Sequence, residues 1–337
     1  MPNGSIFVDW ITISQCHTGG GQPPLPILLR GITAHYDQGG NCRFERVSPT
    51  HLRGSWDTAL LLGCDGSRVF LSGNVGRFAR ADNLFNLGWR ETIAKCNRIL
   101  HSNGLPAFSP ATVFPDGEVQ SVGARLHRLD ITGNFCTGSQ GQASAVIEWL
   151  ASQSVKRMRR GHAINESVWW ANTRRMLKAY VKAAEMLAHG CDKSDRGYLW
   201  ASDNGIVRVE VEMKRRLLQE IGLDQIGNVT DEKLEALFVE QTEILRRVDR
   251  SDEPDILAAL PAGSRVYAAA WLAGHDLRQT VSRATLFRHA KVCREYGMDI
   301  LAPRNVKAFP VRVRVVELHP ATVPDWYCLV SDLERVA

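Results

Sequence analysis

Residues Trp169 to Met186 read WWANTRRMLKAYVKAAEM, with a lone tyrosine, Tyr180, among basic side chains. Two local structures compete for this stretch. Its Ala, Leu, Met, Lys and Glu are good helix formers, and propensity alone writes one helix from Trp169 to His189. Alternation points the other way. From Met176 onward Leu177, Ala179 and Val181 fall on one side of an extended chain, and Lys178, Tyr180 and Lys182 fall on the other. The turn-prone Ala171-Asn172-Thr173-Arg174 then joins this strand to Ser167–Trp170 as a hairpin. The strand is the preferred reading, with a helix beginning near Ala184. It holds the phenol on an open sheet face between two ammonium groups, where positive charge favours the phenolate and attracts a phosphate. The plainer alternative is a half-buried surface tyrosine that does no chemistry.

The surroundings of this hairpin are strongly basic. Between Lys156 and Lys182 there are eight basic residues against one acid, Glu166, so a polyanion is the natural partner. The net charge of the 337-residue chain is only +5, so its clustering matters more than its sum. A composition of 44% apolar and 23% charged residues is that of an ordinary globular protein, and the length suits two or three domains. The eight cysteines show no CxxC pair and no metal-ligand spacing, and read as reduced thiols. No stretch approaches the ~18 apolar residues of a membrane span, and a cytoplasmic protein is expected.

Two further stretches carry sharp patterns. In GIVRVEVEMKRR, Gly205 to Arg216, Val207, Val209 and Val211 occupy one face of a strand, and Arg208, Glu210 and Glu212 the other. Two carboxylates about 7 Å apart on one face form either a solvated, salt-bridged surface or, as oxygen donors, a site for hard Mg²⁺ or Mn²⁺. In RLHRLDITGNF a strand from Arg125 to Thr132 places Leu126, Arg128 and Asp130 together and His127 opposite, so Asp130 is available as a third oxygen donor. Upstream, Ile6–Ser14 is expected to be a strand with Asp9 on the face of Ile11 and Ile13. Further strands are expected at Ile27–Tyr36 and Arg68–Val75, and helices at Leu84–Leu100 and Ser144–Val155.

Beyond a helix through Lys214–Ile221, Asp231 to Val248 reads as a long helix. The stretch Asp231–Asp255 holds nine acids and four basic residues and marks a boundary. Ser264–Ala273 suggests a helix, and Ser282 N-caps another that runs to Tyr296. In that second helix Leu286, Ala290 and Cys293 face inward, while Arg283, Thr285, Arg288, Lys291 and Arg294 face outward. This is the layout of a recognition helix in a helix-turn-helix, and equally of a helical bundle with a solvated basic face. Phe309–Leu318 alternates like a final strand. The fold class is α+β: a mainly antiparallel sheet domain with flanking helices (1–228), an acidic helical linker (229–255), and a helix-turn-helix-like region with a C-terminal strand (256–337).

Taken in order, Asp9, Arg128-Leu129-Asp130, Ala179-Tyr180-Val181-Lys182 with Glu185, Arg208-Val209-Glu210, Gly222-Leu223, the Thr285–His289 helix and the terminal PDWY resemble the gene II/X replication initiators of filamentous phages, rolling-circle nickases. The AYVK and RVEVEMK segments are also similar to plasmid initiators of the Rep_trans type. The resemblance implies a site- and strand-specific endonuclease and strand transferase with Tyr180 as nucleophile, forming a 5′-phosphotyrosyl intermediate and later rejoining the displaced strand. It further implies Lys182 and Lys178 beside the phenol, and Mg²⁺ or Mn²⁺ held by Asp130 and Glu210, with Glu212 a candidate. Arg128, Arg174, Arg175, Arg208, Arg283, Thr285, Arg288 and Lys291 are the expected contacts to double-stranded origin DNA and the displaced single strand, with a host helicase and DNA polymerase as further partners. The histidine-hydrophobe-histidine metal motif of other rolling-circle initiators is absent, which moves weight onto the carboxylates. A DNA-binding regulator without catalysis is the alternative. A second cleavage after a full round would fall to another subunit, an activated water or a second tyrosine such as Tyr198.

Overall fold

The computed structural model describes residues 6–17, 24–113, 119–161, 166–242, 257, 260–296, 298–301 and 318–328. Strands β1 (Ile6–Cys16), β2 (Ile27–Leu28), β3 (Gly31–Tyr36), β4 (Cys42–Ser48), β5 (Thr50–Arg53), β6 (Ala59–Asp65) and β7 (Arg68–Gly73) precede helix α1 (Trp89–Ser102). They are followed by β8 (Thr112–Val113), β9 (Val119–Ser121), β10 (Arg125–Cys136), α2 (Gln140–Ser152), β11 (Arg159–Arg160), β12 (Ser167–Ala171) and β13 (Arg175–Val181). Next come α3 (Lys182–Ala188), α4 (Arg196–Asp203), β14 (Ile206–Lys214), α5 (Arg215–Glu220) and α6 (Asp231–Gln241). Helices α7 (Ala262–Leu272), α8 (Leu277–Thr280) and α9 (Arg283–Glu295) and strand β15 (His319–Pro320) complete the described chain.

Eleven strands form one antiparallel sheet in the order β11-β12-β13-β14-β10-β1-β7-β6-β2, with β15 beside β10 and β5 beside β6. The period-two pattern of β14 makes it a central strand. Val207, Val209, Val211 and Met213 are buried, and they join Leu129 and Ile131 of β10 and Leu177 and Ala179 of β13 in the main core. Helices α1, α2 and α6 cover this face through Cys96, Leu100, Val146, Leu150, Leu234 and Phe238. The opposite face of β14 carries Arg208 and Glu212, both buried, and Glu210, half-buried between them. The turn into β14 depends on Gly205 at φ +57°, where a Cβ would lie 2.1 Å from the Ser139 carbonyl oxygen.

Two bulges correct the expected faces. Val8 pairs with Ile131 but Trp10 with Asp130, so Asp9 is an extra residue. It therefore leaves the apolar face of Ile11 and Ile13. In β10 the register shifts again, with Ile13 opposite Leu126 and Thr12 opposite Arg128. Leu126 is therefore in the core, not on the face of Arg128 and Asp130, and the extra residue His127 bonds Ser14 Oγ through Nε2 at 2.7 Å.

The hairpin over Ser167–Val181 forms as the alternation requires, closed by Asn172, whose Oδ1 accepts from the backbone N–H groups of Arg174 and Arg175. The helix after it starts at Lys182, before the expected Ala184, so Lys182 is a helix residue and not the next position of the strand that carries Tyr180. Ile27–Tyr36 is two strands broken at Leu29-Arg30, and α1 begins only at Trp89. The residues of the acidic stretch from 243 to 256 and of the expected tail strand from 309 to 317 lie outside the described residues. Helices α7 to α9 enclose a second core of Leu260, Trp271, Leu277, Leu286, Ala290 and Cys293. Ser282 caps α9 by accepting from Thr285 N, and Arg283, Arg288 and Lys291 are exposed as expected. The helix before α9 is a single turn.

Candidate active site: a tyrosine and four carboxylates on one sheet face

Register across the sheet defines the site in rows. Tyr180 of β13 stands beside Arg208 of β14, which stands beside Asn134 of β10. In the next row Trp169, Lys178, Glu210 and Thr132 are neighbours, and in the next Glu212, Asp130 and Trp10. A further row holds Lys214, Arg128, Thr12 and Ser72. Tyr180, Glu210, Glu212 and Asp130 thus share one face, as the alternation in each strand separately suggested.

The phenol of Tyr180 donates to Glu210 Oε1 at 2.6 Å. The ring is 4% exposed, and Lys178 Nζ lies 4.4 Å from its centre and 3.9 Å from Glu210 Oε2. Burial, with the charge of Glu210 beside it, raises the phenol well above its ordinary pKa, while Arg208 pulls it down. This reverses the expectation that flanking lysines favour the phenolate. A buried hydroxyl bonded to a carboxylate keeps its proton until a base takes it.

Glu210 is placed to be that base. Burial first, and Asp9 next, raise its pKa, against the pull of Lys178 and Arg208. Asp9, the bulge residue, accepts from Asn74 Nδ2 at 2.8 Å and Asn86 Nδ2 at 3.2 Å. Asp130 is bound by the Arg128 fork at 2.8 and 2.6 Å, and the same guanidinium reaches Glu212 at 3.0 Å. Burial pushes Asp130 up to about 7, with Glu212 and Glu210 adding to it and Arg128 opposing. The ion pair keeps Arg128 charged, but one guanidinium shared between two carboxylates does not offset the burial of Asp130.

Arg208 is not a surface contact to DNA. It is wholly buried, its Nε bonded to Asn134 Oδ1 at 2.9 Å and its Nη2 to the carbonyls of Asn83 and Leu84, both at 2.6 Å. Its Nη1 is buried with no hydrogen-bond partner among the described residues. Burial works against its charge, but Tyr180, Asp9, Glu210 and Glu185 outweigh it, so Arg208 remains a fixed cation. Lys182 is also interior, with Nζ 2.6 Å from Glu185 Oε2 and 2.9 Å from Asn83 Oδ1, and burial lowers it to about 8. It does not flank the ring but shares the Asn83 turn with Arg208. Arg175 faces the covered side of the sheet near Glu240, away from the site, and burial lowers its pKa. Arg174 is at the hairpin turn, paired with Glu220 at 2.6 Å. Tyr198 lies in α4 against the Phe7–Phe85 cluster, on a different element from the carboxylates.

Among the described residues no three carboxylate, imidazole or thiol groups already converge as a metal site. The donor chemistry suits a hard divalent cation, since Asp130, Glu210 and Glu212 present carboxylate oxygens, with Arg128 and Lys178 now paired to them. The bulge that turns Asp9 toward this set and the asparagines around it were not legible beforehand, because bulges arise from strand pairing and have no signature in one strand's alternation.

Residues 67–232 match the family "Replication-associated protein G2P N-terminal", and residues 262–331 match "Replication-associated protein G2P C-terminal". The two matches follow the order of those families and together take in most of the chain. The protein belongs to the G2P family of phage replication-associated proteins. Its relatives include the replication-associated protein G2P of Escherichia phage If1, 28% identical with 81% of this chain and 98% of that protein covered. The G2P protein of Enterobacteria phage I2-2 is 26% identical, with 86% and 88% covered. A rolling circle replication initiator protein from Geobacillus stearothermophilus overlaps 86% of this chain and 96% of its own at 12% identity, with a TM-score of 0.28 that is too loose for detailed superposition.

Proposed function

We propose that the protein initiates rolling-circle DNA replication by nicking one strand of a double-stranded origin with Tyr180 and later rejoining the displaced strand. The observation that carries this reading is the 2.6 Å bond from the Tyr180 hydroxyl to Glu210, within a face of carboxylates and cations in a protein of the phage replication family. Glu210 Oε1, already bonded to the hydroxyl, takes the phenolic proton as the phenol oxygen attacks phosphorus. The bond to the 3′ oxygen breaks, leaving a 5′-phosphotyrosyl enzyme and a 3′ end that takes a proton from solvent and primes a polymerase. Arg208 supplies fixed positive charge beside the phenol oxygen. Lys178, on a flexible stem over the ring, is drawn off by an arriving phosphate and opens the path to the phenol.

Asp130, Glu210 and Glu212 would hold Mg²⁺ or Mn²⁺, which when bound would supply Lewis-acid polarisation of a phosphoryl oxygen and stabilisation of the leaving oxygen. Arg128, now paired with Asp130 and Glu212, is the cation nearest these carboxylates that a DNA phosphate could engage. Because the phosphotyrosyl bond conserves the energy of the phosphodiester, the free 3′-OH reverses the step and closes the displaced strand without ATP. Origin DNA is held by phosphate contacts from the hairpin and base contacts from α9, and a host helicase and DNA polymerase act downstream. The test is supercoiled DNA carrying the protein's own origin, with and without Mg²⁺ or Mn²⁺. Wild type is expected to nick only with metal and to become linked to a 5′ end, and Tyr180→Phe to do neither. Binding without nicking in every condition would favour the regulator.

A further inference from the structure

The segment that ends in Pro324-Asp325-Trp326-Tyr327 returns to the large sheet. Strand β15 pairs with Phe135 and Cys136 at the end of β10, and Ala321 N donates to Asn134 O at 2.8 Å. The Tyr327 hydroxyl accepts from Arg80 Nη2 at 2.7 Å and from Phe85 N at 3.1 Å, and donates to Asp82 Oδ1. One phenol thereby uses its proton and both lone pairs. Asp82 Oδ1 also accepts from Leu84 N at 2.7 Å, and the Tyr327 ring meets Phe85 edge to face at 5.4 Å. Tyr327 is the hub of the Asp82–Phe85 turn.

That turn holds the buried cations of the site. Asn83 Oδ1 receives Lys182, the carbonyls of Asn83 and Leu84 receive Arg208 Nη2, and the Leu84 carbonyl also receives Asn134 Nδ2 at 2.6 Å. Of the hydrogen-bond acceptors of Arg208 among the described residues, only Asn134 Oδ1 lies outside the turn. We propose that Tyr327 is a positioning residue for the nicking reaction: its hydroxyl fixes the Asp82–Phe85 turn, whose carbonyls hold Arg208 beside Tyr180. The proposal rests on the reading of Tyr180 as the nucleophile. The C-terminal segment thus reaches the phenol through two links, the Tyr327 hydroxyl on the turn and the turn's carbonyls on Arg208.

The test is single-turnover nicking of origin DNA by full-length Tyr327→Phe, which keeps the ring and removes the hydroxyl, together with its affinity for the same DNA. The expected result is a loss of about tenfold in the maximal rate, with the protein concentration for half-maximal rate and the DNA affinity within twofold of wild type. In an Arg208→Lys background, Tyr327→Phe is expected to add no further loss, since both changes remove one arrangement. Asp82→Asn, which weakens the hub from its other side, is expected to reproduce the pattern. A Tyr327→Phe rate within twofold of wild type, a loss that multiplies with that of Arg208→Lys, or a loss that follows weakened DNA binding overturns the proposal while leaving the nickase standing. Failure of both Tyr327→Phe and Asp82→Asn to fold overturns it in favour of a structural anchor. Absence of nicking by wild type overturns the nickase reading and this proposal with it.

Discussion

At the scale of residues, the site is governed by how much negative charge one sheet face is asked to bury. Asp130 and Glu210 are both pushed upward, Asp130 to about 7, chiefly by burial. The sign follows directly. Between the ordinary carboxylate pKa near 4 and about pH 7 the folded protein retains protons that the unfolded chain has released, so stability without metal falls as pH rises through that window. A divalent cation must displace those protons, so its binding strengthens over the same range. With saturating Mn²⁺, thermal unfolding is expected to shift upward by roughly 5 °C at pH 8 and by much less at pH 5.5. Asp130→Asn with Glu210→Gln is expected to abolish the shift. A shift of equal size at both pH values, or one that survives the double substitution, would show that the cation binds elsewhere.

At the scale of elements, what was legible in the sequence was whatever depends on one strand or helix alone. The alternation of β14 and β13 and the apolar positions of α9 were each sufficient to assign a face, because side-chain direction follows from local geometry. What failed depends on a neighbour. Asp9 and Leu126 changed faces at bulges produced by pairing between β1 and β10. Lys182 turned inward because β13 ends at Val181 and the chain enters α3 at once. Arg175 was assigned to DNA by its charge, although it has the parity of Leu177 and Ala179. The exposed basic face of α9 carries its own prediction. Arg288→Ala and Lys291→Ala are each expected to weaken origin binding and to reduce the salt dependence of binding by about one unit of slope, with thermal stability unchanged. Unchanged affinity and slope in both would make α9 the solvated face of a helical bundle.

At the scale of the whole molecule, the nucleophile, its base and its fixed cation come from adjacent strands far apart in sequence, and the turn that holds the cation is completed by the C-terminal segment. The resemblance carried by Asp9, Asp130, Tyr180, Glu210 and PDWY identified residues that the fold does bring together. It did not indicate that Arg208 is buried or that Tyr327 organises a turn, since those facts exist only once the sheet is assembled. The central claim is that the phenol of Tyr180 becomes covalently joined to DNA. The most direct measurement is mass spectrometry of the wild-type protein after reaction with origin DNA and metal, followed by nuclease and protease digestion. A nucleotide joined through its 5′ phosphate to the peptide containing Tyr180 is the predicted result. The same nucleotide on the Tyr198 peptide, or nicked DNA with no residue modified, would contradict it.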